Sequence, residues 1–214
     1  MKVELTQGQI DGLIGVERVV VKATVFGVGY NDVDFKIKFG GVVVWQYLVW
    51  RAMLGRCFSE VCKAKQPAYR DVSCCDTWLY FGNFLEWANK EVGYSGKPIG
   101  MQLDKDILTS GNKIYSPENC CFVPKAVNCL LTSCETARGE WPVGVSLYKQ
   151  TGRFVSNLNR GGKLCSLGYY TTPEEAFAAY KIAKEAQIKL VALQHKAALK
   201  PAAFESLMNW EIEP

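Results

Sequence analysis

Residues 144–175 read GVSLYKQTGRFVSNLNRGGKLCSLGYYTTPEE. Three short runs, Gly144 to Lys149, Arg153 to Asn159 and Lys163 to Tyr169, are separated by Gln150-Thr151-Gly152 and Arg160-Gly161-Gly162, and both separators have the composition of hairpin turns. Successive strand residues face opposite sides of a sheet, so alternation sorts the side chains into two sets. Val145, Leu147, Phe154, Leu158, Cys165 and Leu167 form a core face; Ser146, Tyr148, Arg153, Asn157, Asn159 and Ser166 form the other. Thr172-Pro173-Glu174-Glu175 then supplies a capping threonine, a proline at the first helical position and acidic residues in the first turn, opening a helix to about Ala192. Ala176, Ala179 and Ala183 make a small-residue stripe on it, flanked by Phe177 and Tyr180, which lets the helix pack closely on one side of the sheet. The other side stays open, lined by hydrogen-bonding groups and rimmed by Lys149, Arg160 and Lys163. A polar, cationic sheet face can enter a DNA major groove; the competing reading is a solvated surface with no partner.

Upstream of this sheet lies a central polar segment. Leu103-Asp104-Lys105-Asp106 is followed by Gly111-Asn112-Lys113, then by Pro117-Glu118-Asn119 and, beyond an apolar stretch, Asn128. Carboxylate and amide oxygens are hard donors suited to Mg²⁺ or Mn²⁺. The same residue types also cap turns and helices, and composition alone leaves both readings open. Zinc is disfavoured, because Cys57, Cys62, Cys74, Cys75, Cys120 and Cys121 include no Cys-x-x-Cys spacing. His195, the one histidine, sits near a helix end, where the dipole accounts for it without a functional role.

The N-terminal part is more apolar. Val19-Val20-Val21 and Val42-Val43-Val44, separated by glycine-containing turns, read as short strands. Val44, Tyr47, Leu48, Arg51 and Leu54 recur at helical spacing, which predicts an amphipathic helix ending near Gly55, with Trp45 and Trp50 on its other faces. A second helix is predicted over 76–87, with Asp76 as its N-cap and Trp78, Phe81, Phe84 and Leu85 on one side. Residues 92–100, rich in Gly and Ser, read as a loop.

The chain has 214 residues, a net charge of +4 and nine cysteines. That charge is too small to establish a polyanion partner by itself, so the placement of the basic residues matters more. No apolar run is long enough to cross a membrane and the first residues lack the order of a secretory signal, so a cytoplasmic protein with free thiols is expected.

Two family resemblances run through these segments. Gly144-Val145, Thr151-Gly152-Arg153-Phe154, Leu167-Gly168-Tyr169 and Thr172-Pro173-Glu174-Glu175-Ala176-Phe177 resemble the AP2 domain of plant factors and phage homing endonucleases. The resemblance implies a sheet in the major groove with a helix behind it, and places Tyr148, Lys149, Arg153, Asn157, Asn159, Arg160 and Lys163 at or beside the DNA. Several Arg and Trp positions of the plant domains are Ser, Tyr or Asn here. Residues 101–131 resemble the ββα-metal core of bacteriophage HNH homing endonucleases. That resemblance implies a single divalent ion, Mg²⁺ or Mn²⁺, on Asp104 and Asn128, with Asn119 steadying the hairpin. Lys105 stands where those enzymes carry their general-base histidine; an ordinary lysine is protonated near neutrality, so proton abstraction would fall to a desolvated Lys105 or to Asp106.

The expectation is therefore an α+β chain: a leader over 1–66, an HNH-like ββα-metal region over 67–138, and an AP2-like three-stranded sheet with one packed helix and a helical tail over 139–214. Its expected activity is metal-dependent hydrolysis or nicking of double-stranded DNA, in a host cell's cytoplasm if phage-encoded. The alternative is a non-catalytic DNA-binding or interaction protein, a regulator or an inhibitor of a host protein. Nothing in the sequence points to a membrane partner or an oligomeric state.

Overall fold

The computed structural model describes residues 24–92, 100–131 and 140–213, a mixture of helices and small sheets. The expected strand at Val19-Val20-Val21 and the loop centre at 93–99 lie outside the described residues. Compactness divides the chain into two units, one formed by 24–92 with Lys113–Ser116 and the other by 100–112 with 117–213.

In the first unit a minimal hairpin, β1 (Lys38–Phe39) and β2 (Val42–Val43), turns through Gly40 and Gly41, both at positive φ. It leads into α1 (Trp45–Phe58), followed by α2 (Glu60–Lys65), which Ser59 caps by accepting from the Cys62 amide. The buried face of α1 carries Gln46, Trp50, Met53, Leu54, Gly55 and Cys57, while Leu48 and Arg51 are exposed. Trp50 is thus central to the core and not on an outer face as its spacing suggested. β3 (Ser73–Cys74) is a two-residue strand running parallel to a later segment, Ile114–Tyr115.

The helix expected over 76–87 is two elements. A 3₁₀ turn at Asp76–Leu79 stops at Tyr80, whose extended backbone bridges to Tyr30, and α3 (Phe81–Val92) begins after it. Asp76 is the first residue of the 3₁₀ turn and caps no helix; Asp32 instead accepts from the Gly82 amide at 2.7 Å, capping α3 from far along the chain. The core is aromatic. Trp50, Trp78, Phe81 and Phe84 are at most 1% exposed, and the Trp50 indole N–H donates to the Trp78 carbonyl at 2.7 Å. Ring centroids lie 5.4 Å apart for Trp50–Phe81 and 5.0 Å for Trp78–Phe84.

In the second unit, β4 (Met101–Asp104) pairs antiparallel with β6 (Cys121–Pro124), and α4 (Lys125–Leu131) follows directly; the intervening β5 (Ile114–Tyr115) is the partner of β3 in the first unit. Every residue of β6 is buried. A three-stranded antiparallel sheet then forms from β7 (Val145–Tyr148), β8 (Arg153–Arg160) and β9 (Lys163–Tyr170), in the order β7-β8-β9. Gly152, Gly161 and Gly162 hold positive φ in its turns.

α5 (Pro173–Gln194) starts where the residue signals put it. The Thr172 hydroxyl accepts from the Glu175 amide, Glu175 reaches back to the Thr172 amide, and Pro173 occupies the first turn. Its N-terminal half packs on the sheet with Ala176 and Tyr180 buried. Its C-terminal half contributes Ile188 and Ala192 to a core shared with Ile107, Cys121, Val123 and Val127. α6 (Pro201–Met208) closes that core with Ala203 and Leu207.

Candidate functional site

Asp104 ends β4 opposite Cys121. One of its carboxylate oxygens, Oδ1, accepts the amides of Asp106 and Ile107, both at 2.8 Å, so the side chain folds the first turn of the loop that leaves the strand. Burial pushes the Asp104 carboxyl above the ordinary range, against the pull of those two amides. Lys105 is 6% exposed. Its Nζ donates to the Asp106 carboxylate and, at 2.8 Å, to the Asn112 carbonyl, while Asn112 Nδ2 donates back to the Lys105 carbonyl at 2.8 Å. The Lys105 ammonium therefore acts as a strut across the loop. Asp106 remains half-exposed, and Asn119 lies in the turn before β6.

Asn128, on α4, donates through Nδ2 to Gln102 Oε1 at 2.7 Å. Gln102 and Asp104 are two apart on β4 and share a face of the strand. Asn128 is thereby tied to the strand face that carries Asp104. Gln102 escaped the reading of the sequence; its alternation with Asp104 is the signal that identifies it.

On the C-terminal sheet, pairing sorts the faces. Ser146↔Val155↔Tyr169, Tyr148↔Arg153, Asn157↔Ser166 and Asn159↔Leu164 lie on one side, and a register shift between Ser156 and Asn157 accommodates an extra residue of β9 near Leu167. The opposite side holds Phe154, Ser156 and Leu158 beneath α5, with Ser156 and Leu158 fully buried. The expected polar set is thus on the open face, but Val155, Leu164 and Tyr169 share it, with Leu164 71% and Tyr169 48% exposed.

Several of these groups are pre-positioned. The Tyr148 and Tyr169 rings meet edge to face at 5.4 Å. Arg153 Nη2 donates across the strands to the Tyr169 carbonyl at 3.1 Å and stays exposed. Asn159 Oδ1 accepts from the Gly162 amide at 2.9 Å, so one side of this amide is committed to the β8–β9 turn. Arg160 and Lys163 face each other across that turn, and Lys149 projects from the β7–β8 turn, all three exposed. From Trp141 to Pro173 the chain carries Lys149, Arg153, Arg160 and Lys163 and not one Asp or Glu.

Among the described residues no group of three or more His, Cys, Asp or Glu side chains converges, and no helix is long and apolar enough to cross a membrane. Cys120 and Cys121 are buried and not disulfide-bonded, and His195 terminates α5. No family, no curated protein and no solved structure matches the chain.

Proposed function

We propose that this protein binds double-stranded DNA through the open face of β7–β9. The observation that carries the reading is a carboxylate-free stretch whose register sets Tyr148, Arg153, Asn157 and Tyr169 on one exposed surface, with Lys149, Arg160 and Lys163 at its edges. Phosphates bind the rim cations, amide and guanidinium groups address base edges, and Val155 and the tyrosines present apolar contact. Fluorescence anisotropy of a labelled duplex across a salt series tests this. Arg153→Ala is expected to weaken binding by at least about fivefold and to lower the salt slope by about one; adding Tyr148→Ala weakens it further. Unchanged affinity and slope in the double variant sink the reading.

A second reading, phosphodiester hydrolysis or nicking by the central loop, is favoured by the strand–strand–helix order of β4, β6 and α4 and by the link from Asn128 to the strand face of Asp104. Asp104 and Asn128 are the residues to hold a single Mg²⁺ or Mn²⁺. Mg²⁺ usually keeps waters and substrate phosphates around one or two protein carboxylates, so this donor set fits it. The ion would supply Lewis-acid polarisation of a phosphodiester oxygen. Asp106, half-exposed, is the group positioned to accept a proton from water, Lys105 braces it, and Asn119 holds the approach to β6.

Asp104→Asn separates structure from chemistry here. The amide oxygen still accepts from Asp106 and Ile107, so the variant folds. The raised carboxyl pKa means that the native state binds this proton more tightly than the unfolded state, so wild-type stability falls as pH rises through the folded pKa. Urea unfolding at several pH values should show the variant gaining on wild type across that window, above the ordinary carboxylate range. Plasmid nicking with Mg²⁺ or Mn²⁺ should fall about 100-fold or more. Wild-type protein that binds duplex but never nicks it leaves the non-catalytic DNA-binding alternative.

A further inference from the structure

α5 carries an apolar stripe that faces outward. Ile182, Leu190 and Leu193 are 72%, 56% and 53% exposed, and Ala186 among them is exposed as well. At about 100° per residue these four side chains fall within roughly 80° of arc, on the side of the helix away from buried Ile188. Between Ala176 and Gln194 every charged residue lies outside that arc. Lys181, Lys184 and Glu185 turn toward the packed side, where Lys181 donates to the Ile212 carbonyl and Glu185 accepts from the Ile212 amide, while Lys189 borders the stripe. A single exposed leucine is ordinary, but three large aliphatic side chains in line on one helix make a patch of the kind that another surface covers.

We propose that this stripe binds a second copy of the chain, with two α5 helices packed antiparallel about a two-fold axis at Ala186. In such a contact, residues equally far before and after Ala186 face each other, so Ile182 of each copy meets Leu190 of the other. The small side chain on the axis lets the two backbones approach closely. Charge at the helix ends selects this occupant and this direction. α5 opens with exposed Glu174 and Glu175 and is followed by exposed Lys196. Rotated about Ala186, Glu174 stands opposite Ala198, two residues or about 3–4 Å of rise from Lys196, so each acidic end lies beside a basic one. A parallel pair would instead set like charges and like dipole ends together. The contact is one helix wide, smaller than a standard interface, so the dimer is weak, with a Kd on the order of 10–100 µM.

Sedimentation equilibrium of the full chain over a concentration series tests the pairing, with circular dichroism to show that each variant is folded. Wild type is expected to pass from monomer to dimer mass and stop there. Leu190→Glu, a change at a solvent-facing position, should weaken association at least about tenfold. Glu174→Lys and Lys196→Glu should each weaken it about twofold to fivefold, and the double exchange should restore it. Ala186→Cys should form a disulfide between copies through residue 186 under mild oxidation, mapped by mass spectrometry against wild type. The proposal is overturned if wild type stays monomeric up to about 0.5 mM or assembles beyond the dimer. It is equally overturned if Leu190→Glu dimerises as wild type does, if the charge exchange restores nothing, or if folded Ala186→Cys does not link to itself.

Discussion

Trp50→Ala should cost the first unit on the order of 5 kcal/mol, enough to unfold a domain of ordinary stability. Removing a large buried aromatic leaves a cavity worth about 3–5 kcal/mol. Here Trp50 is completely buried between Tyr47 and Phe81, with centroid separations of 5.5 Å and 5.4 Å. The truncation also strips the Trp78 carbonyl of its 2.7 Å donor inside the core, at about 1–3 kcal/mol more. Trp50→Phe keeps ring packing and loses the donor, so it should cost roughly 1–3 kcal/mol. Chemical denaturation followed by circular dichroism distinguishes the two. A loss below about 1 kcal/mol for Trp50→Ala would contradict this packing.

Gly144→Ala should be the most damaging small substitution in the C-terminal sheet. Gly144 has φ +78°, and a Cβ there would stand 2.1 Å from Tyr180 Cδ2 and 2.4 Å from its Cε2. Its carbonyl also accepts from the Asn157 amide at 2.8 Å, which ties the start of β7 to β8. A positive φ in alanine costs about 1–2 kcal/mol and forcing the ring aside about 1–3 kcal/mol, giving a loss of about 2–5 kcal/mol. The two parts separate in a double-mutant cycle. In a Tyr180→Ala background, Gly144→Ala should retain only the backbone penalty, so the pair costs less than the sum of its members. Strict additivity would mean that the ring does not set the demand for glycine. Duplex binding should fall along with folded population.

The C-terminal sheet was legible because its signals are local. Glycine turns, alternation and the Thr172–Glu175 box lie within a few residues of what they specify, and the second strand, expected over Arg153 to Asn159, runs one residue further to Arg160. α1 was readable in extent but not in orientation. Trp45, Tyr47, Leu48, Val49, Trp50, Met53 and Leu54 surround the helix with apolar groups, so packing neighbours, and not periodicity, select the buried side. The break at Tyr80 depends on a bridge to Tyr30, fifty residues away, and the cap of α3 on Asp32 is equally remote. In the central loop, residue types identified Asp104 and Asn128, but the closure of Lys105 on Asn112 and the Gln102–Asn128 pair exist only once β4 and α4 are assembled. On the open sheet, Val155 and Tyr169 resemble core residues in composition, and register alone reveals their side.

α5 gives its first turns to the sheet and its later ones to the hairpin core. From Tyr180 to Ala192 is twelve residues, about 18 Å of helix at 1.5 Å per residue. The helix is continuous across the span and both ends are packed, so it fixes the spacing between the β7–β9 sheet and the hairpin core beside Asp104.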